Sequence, residues 1–100
     1  MKTATIREDL LAITKDHMQA IVLNYFIEQH NKTNQEWIKI KATELITESM
    51  LTIKRACMQN ILNKLCYDKK FLNKKRSGHK VFEYKVNFDK INKELEKKGY

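Results

Sequence analysis

Proline is absent from the chain, and glycine occurs only twice, at Gly78 and Gly99. These residues most often mark linkers and turns, so their scarcity leaves nothing that would divide 100 residues into two domains. Only two cysteines are present, Cys57 and Cys66. On one helix they would lie ~13 Å apart, beyond the roughly 7 Å a disulfide spans, so both are expected as reduced thiols. No CxxC or HxxxH spacing relates them to His17, His30 or His79, and neither a metal nor another cofactor is expected. Apolar runs stop far short of the ~20 residues that cross a bilayer. The first stretch, "MKTATIREDLLAITKD", carries acids inside its apolar segment, unlike a secretory signal. The expectation is a cytoplasmic protein with no membrane partner. Catalytic patterns are missing as well: no Ser/His/Asp ordering, no phosphate-cradling glycine loop and no paired carboxylates, which points away from an enzyme.

Acids are scarce in one half only. Residues 1–51 carry six Lys/Arg and seven Asp/Glu, whereas residues 52–100 carry fourteen and five. The net charge of +8 therefore comes from the second half. Between Lys69 and Lys85 there are seven basic residues and one acid. Such asymmetry fits a polyanionic partner, although an anionic membrane surface or simple solubility would produce it too. With 42% hydrophobic and 32% charged residues the chain reads as globular, and at this length it can bury roughly two-thirds of its unfolded surface.

Periodicity places the elements. Residues 1–14 form a leader whose segment Ile6–Ile13 is amphipathic. A helix is expected over 15–30, with Met18, Ile21, Val22, Tyr25 and Phe26 on its buried face, and "NKTNQE" follows as a polar loop. "WIKI" (Trp37–Ile40) alternates as a short strand does, and Trp37 is expected to pack there. Residues 42–66 read as two helices joined by a short turn, the first burying Leu45 and Ile46 and the second capped by Thr52. A hairpin spans 71–87. It turns at Ser77–Gly78–His79, where Gly78 is expected to permit the tight bend. Phe82, Tyr84, Val86 and Phe88 share one side. A final helix covers 89–98, with Ile91 and Leu95 toward the core. The fold class is α+β, mostly helical: a winged helix-turn-helix with a small three-stranded antiparallel sheet and flanking N- and C-terminal helices.

On the second helix of the pair, Cys57, Met58, Ile61, Leu62 and Leu65 fall on one face. The opposite side carries Thr52, Arg55, Ala56, Gln59, Asn60 and Asn63, with Lys54 near its start. A cation and amides that reach a base edge bidentately suit a recognition helix in a DNA major groove. No acid occurs between Ser49 and Tyr67, as a surface facing phosphates requires. A solvated helix back remains the plainer alternative. The hairpin tip gathers Lys74, Lys75, Arg76, His79 and Lys80 as a second set of phosphate contacts; lysines that merely blunt an edge strand are the alternative there.

Taken in order, Trp37 on a strand, Leu45, Thr52 with Arg55, Leu62 with Leu65, and the closing Tyr84–Lys90 stretch carry a resemblance over about residues 34–91. The chain resembles the winged-helix modules of replication proteins in phages, plasmids and genomic islands of low-GC Gram-positive bacteria. It departs from them at one point: the family has a glycine before the first wing strand, where this chain has Lys70 ahead of Phe71. The resemblance implies DNA binding in replication of a mobile genetic element. It also implies a small accessory role beside a polymerase, primase or helicase, since the chain lacks the extra domain of larger initiators. Strand preference stays open. One alternative is a dimeric transcription regulator, with the leader or the closing helix as the homodimer interface. Another is a protein–protein adaptor that binds DNA weakly.

Overall fold

The computed structural model describes residues 8–49, 51–78 and 81–99. In chain order these contain α1 (Glu8–Thr14), α2 (His17–Thr33), β1 (Ile38–Ile40), α3 (Ala42–Glu48), α4 (Arg55–Asn63) running into a π turn (Lys64–Asp68), β2 (Leu72–Gly78), β3 (Val81–Val86) and α5 (Phe88–Lys97). The fold is α+β: mostly helix, with one small three-stranded antiparallel sheet ordered β1-β3-β2. The start of the leader and the expected wing residues His79 and Lys80 lie outside the described residues.

Asp16 separates the first two helices. Its carboxylate accepts the backbone N–H groups of Met18 (2.8 Å) and Gln19 (3.2 Å), an N-cap that starts α2 at His17. The helix outlasts its expected end at residue 30. Thr33 donates its hydroxyl to the Gln29 carbonyl at 2.7 Å, and Asn34, left-handed at φ 59°, closes the last turn on His30. The buried stripe is also shifted. Val22, Leu23, Phe26 and Ile27 are buried, Ile21 and Tyr25 are half-buried, and Met18 is 39% exposed. The cause is α1, which packs beside α2 and adds Leu10 and Ile13 to the same core.

The core joins all layers. Leu10, Leu23, Phe26, Leu45, Met58 and Leu65 are fully buried, and Phe71 and Leu72 nearly so. Each such side chain stabilises the fold by about 1.5–3 kcal/mol. Phe26 of α2 meets Tyr84 of β3 with ring centroids 5.2 Å apart, tying helix to sheet. Cys57 and Cys66 are free thiols.

Thr52 does not cap α4. The helix begins at Arg55, and the residue at its N-cap is Lys54, which makes no side-chain capping bond. Leu51 and Ile53 both pack against the core. Apolar residues two apart on one side require extended chain, so the segment stays extended until Lys54. The far end differs as well. The α-helix stops at Asn63, and one π turn carries the chain to Asp68, with Lys69 N–H bonded to the Lys64 carbonyl at 2.8 Å.

The turn from the π turn into β2 is left-handed at Lys70, the residue at which the sequence departs from the pattern it resembles. Lys70 adopts φ 60°, the left-handed conformation in which glycine is unstrained and a Cβ is not. Gly78, by contrast, is not left-handed, and the turn it was expected to permit lies outside the described residues. Gly78 lies within β2 beyond a bulge after Arg76, and an added Cβ would meet nothing within 4 Å. Past the wing, Asn87 ends the sheet instead of extending it. Its side chain accepts the Lys90 N–H (3.3 Å) and donates to the Lys70 carbonyl (3.2 Å). It therefore caps α5, which begins at Phe88, and fastens the start of the β2–β3 hairpin to its end.

Candidate nucleic-acid interface

Helix α4 is positioned by its apolar side. Met58, Ile61 and Leu62 are buried and Cys57 is half-buried, which leaves Arg55, Ala56, Gln59, Asn60 and Asn63 exposed. Thr52 and Lys54 are exposed in the extended segment ahead of it. The expected recognition face is therefore solvent-accessible along its length.

The cations of the β2–β3 hairpin, however, do not share one side of the sheet. Side chains alternate across a pleated strand, and the register divides them. Lys74 pairs with Tyr84 and Arg76 with Phe82, on the side turned toward α4. The Lys74 ammonium lies 4.2 Å from the Phe82 ring centroid, and Arg76 Nε donates to the Gly78 carbonyl at 3.3 Å. Lys75 points to the opposite side, paired with Glu83 at 3.6 Å and 4.3 Å above the Trp37 ring. On that side Lys85 also forms an ion pair with Glu36, whose carboxyl is held below the usual range by the bond to Lys85. Trp37 is therefore half-buried beneath lysines instead of packed in the core.

Between α4 and the β2–β3 hairpin lies a groove of about 660 Å³. Arg55, Gln59 and Asn63 enter from α4, Lys74 and Arg76 from β2, and Lys41 from the start of α3, while Ile40, Leu62, Phe82 and Tyr84 form the floor. Four cations line it, and no acid among the described residues does. Lys41 was not among the residues expected from sequence, yet it carried a signal. It sits at the N-cap of α3 without a capping bond, as Lys54 does on α4. A cation at the positive end of a helix dipole is unfavourable, and Ser, Thr, Asp or Asn at that position would contribute about 1 kcal/mol. Two such departures on adjacent helices suit a surface that attracts anions. Asn60 lies on the exposed side of α4 but outside the groove lining.

A second groove, of about 420 Å³, lies across β1 and has the opposite character. Glu44, Glu48 and Glu83 line it beside Tyr25 and Trp37, with Lys39 as the one cation among its lining residues. Burial pushes the Tyr25 hydroxyl pKa up, and the charges of Glu48 and Glu44 push it further. A polyanion is thereby favoured on one side of β1 and disfavoured on the other. Among the described residues no helix is long and apolar enough to cross a membrane.

Comparison with known proteins finds no matching family model, no matching curated protein and no matching solved structure.

Proposed function

We propose that this protein is a winged helix-turn-helix that binds DNA without catalysing a reaction, as an accessory in replication of a mobile genetic element. One observation carries the DNA-binding reading: the exposed amides of α4 and the inward cations of the wing meet in a single groove that no acid among the described residues lines. Arg55, Gln59 and Asn63 would read bases, and Lys41, Lys74 and Arg76 would hold phosphates. The replication role rests on the sequence resemblance, and finding a polymerase, primase or helicase gene beside this one would support it.

The test separates the two sides of the wing. Fluorescence anisotropy with a labelled duplex should show weaker binding to all sequences for Lys74→Ala/Arg76→Ala. The slope of log K against log salt should become shallower by about 0.9 per lost phosphate contact. Lys75→Ala, on the far side, should bind close to wild type. Equal loss in both variants would mean that wing charge acts without regard to geometry; no loss in either would remove the wing from the interface.

The adaptor reading is second, and the acid-lined groove favours it. β1 is an edge strand, and Glu44 and Glu48 beside it suit a basic segment of a protein partner. Co-purification of a replication polymerase, primase or helicase with the wild type, lost in Glu44→Lys/Glu48→Lys with DNA binding kept, would support it. The dimeric regulator has less support, because Leu10, Ile13 and Ile91 of α1 and α5 are buried in the chain's own core. A dimer by light scattering at micromolar concentration would restore it.

A further inference from the structure

We infer that the groove between α4 and the wing takes an unpaired nucleotide, with its base on Phe82 and its phosphate among the cations. The preferred ligand then contains a single-stranded stretch. This rests on the DNA-binding reading above and narrows it.

The chemistry of the floor is the first reason. Ile40, Leu62, Phe82 and Tyr84 present an apolar surface beneath a cationic rim. A duplex keeps its base faces stacked inside and offers phosphates and base edges outward, which cannot use such a floor. An unstacked base has a π-face that can. Size is the second reason. About 660 Å³ lies within the ~300–1,000 Å³ of sites that enclose organic ligands, and a phosphate alone would leave most of it unfilled.

Phe82 is the third. It is half-buried in the groove, and the Lys74 ammonium rests 4.2 Å from its ring centroid. That ammonium is carried on a flexible four-carbon stem. A base can displace it, and the freed charge then meets the phosphate attached to that base. Gln59 and Asn63, one turn apart on α4, add the amide donors and acceptors that an exposed base edge pairs with. The carbonyl of Gly78 holds Arg76 through Nε, so its remaining guanidinium N–H groups are available to a second phosphate along the strand.

The experiment measures anisotropy of the full chain on a blunt duplex, on the same duplex with a short oligo-dT tail, and on the duplex with an oligo-rU tail. Wild type should hold the dT-tailed duplex about 5- to 150-fold more tightly than the blunt one, the range for one stacked base. The ratio should fall toward one in Phe82→Leu and be retained in Phe82→Tyr, with thermal melts showing that both fold. A preference for the rU tail alone would support the inference with RNA as the source of the nucleotide. Equal wild-type affinity for blunt and tailed duplexes would overturn it and leave the DNA-binding reading standing. So would a ratio unchanged in Phe82→Leu. No binding to any of the three ligands would overturn both.

Discussion

Lys70 stores strain that a single substitution should release. Its φ of 60° is set by the chain's turn from the π turn into β2. Phe71 N–H bonds to the Leu65 carbonyl (2.9 Å) on one side, and Asn87 bonds to the Lys70 carbonyl (3.2 Å) on the other. A residue with a Cβ pays roughly 1–2 kcal/mol in that conformation. Glycine avoids this but loses about 0.5–1 kcal/mol more backbone entropy on folding. Lys70→Gly should therefore stabilise the protein by about 0.5–1 kcal/mol. For a domain of this size that is a rise in Tm of about 2–8 °C. Asparagine tolerates the left-handed region better than most residues, so Lys70→Asn should fall between. Lys70→Ala removes the charge and keeps the Cβ, and should leave Tm near wild type. Gly78→Ala is the converse case. Open space surrounds the position, and φ is not left-handed, so alanine should stabilise by about 0.4–1 kcal/mol through the unfolded chain. Differential scanning calorimetry on the series decides. If Lys70→Gly melts at or below wild type while Lys70→Ala gains, charge crowding and not backbone strain governs the site.

Three further outcomes follow from packing and burial. Leu45→Ala should cost about 2–5 kcal/mol in urea unfolding, because Leu45 is fully buried and is the one side chain by which α3 is wholly anchored. Asn87→Ala should lose about 1 kcal/mol through the α5 cap, with little added at the exposed Lys70 carbonyl, where water replaces the lost donor. Burial pushes the Cys66 thiol up to about 11, so Ellman's reagent at pH 8 should titrate only Cys57 in the native protein and both cysteines in guanidinium. Because the folded pKa is the raised one, this thiol's contribution to stability is complete below the unfolded value of about 8.5 and is lost as pH rises toward 11. Cys66→Ala should flatten that decline, and an unchanged slope would show that other groups cause it.

Much of this protein followed from sequence alone. The order of the elements, the apolar side of α4 and its acid-free back depend on local periodicity, and period 3.6 or 2 is written into consecutive residues. The boundaries did not follow so closely. Thr52 has the chemistry of a cap, but Leu51 and Ile53 bind to a core assembled from distant segments, and that packing moved the helix start to Arg55. Gly78 drew attention because glycine is rare, whereas the left-handed turn falls on Lys70, whose composition gives no sign of it. The tertiary structure alone decided which cations act together. Lys74, Lys75 and Arg76 are equivalent as a basic run, and only the pairing of β2 with β3 sends two toward α4 and one toward Trp37 and Glu83. Lys41 joins them across thirty residues of chain because β1 delivers it to the same groove. Charge composition can announce an anionic partner, but the strand register determines the surface that meets it, since a pleat assigns neighbouring residues to opposite sides.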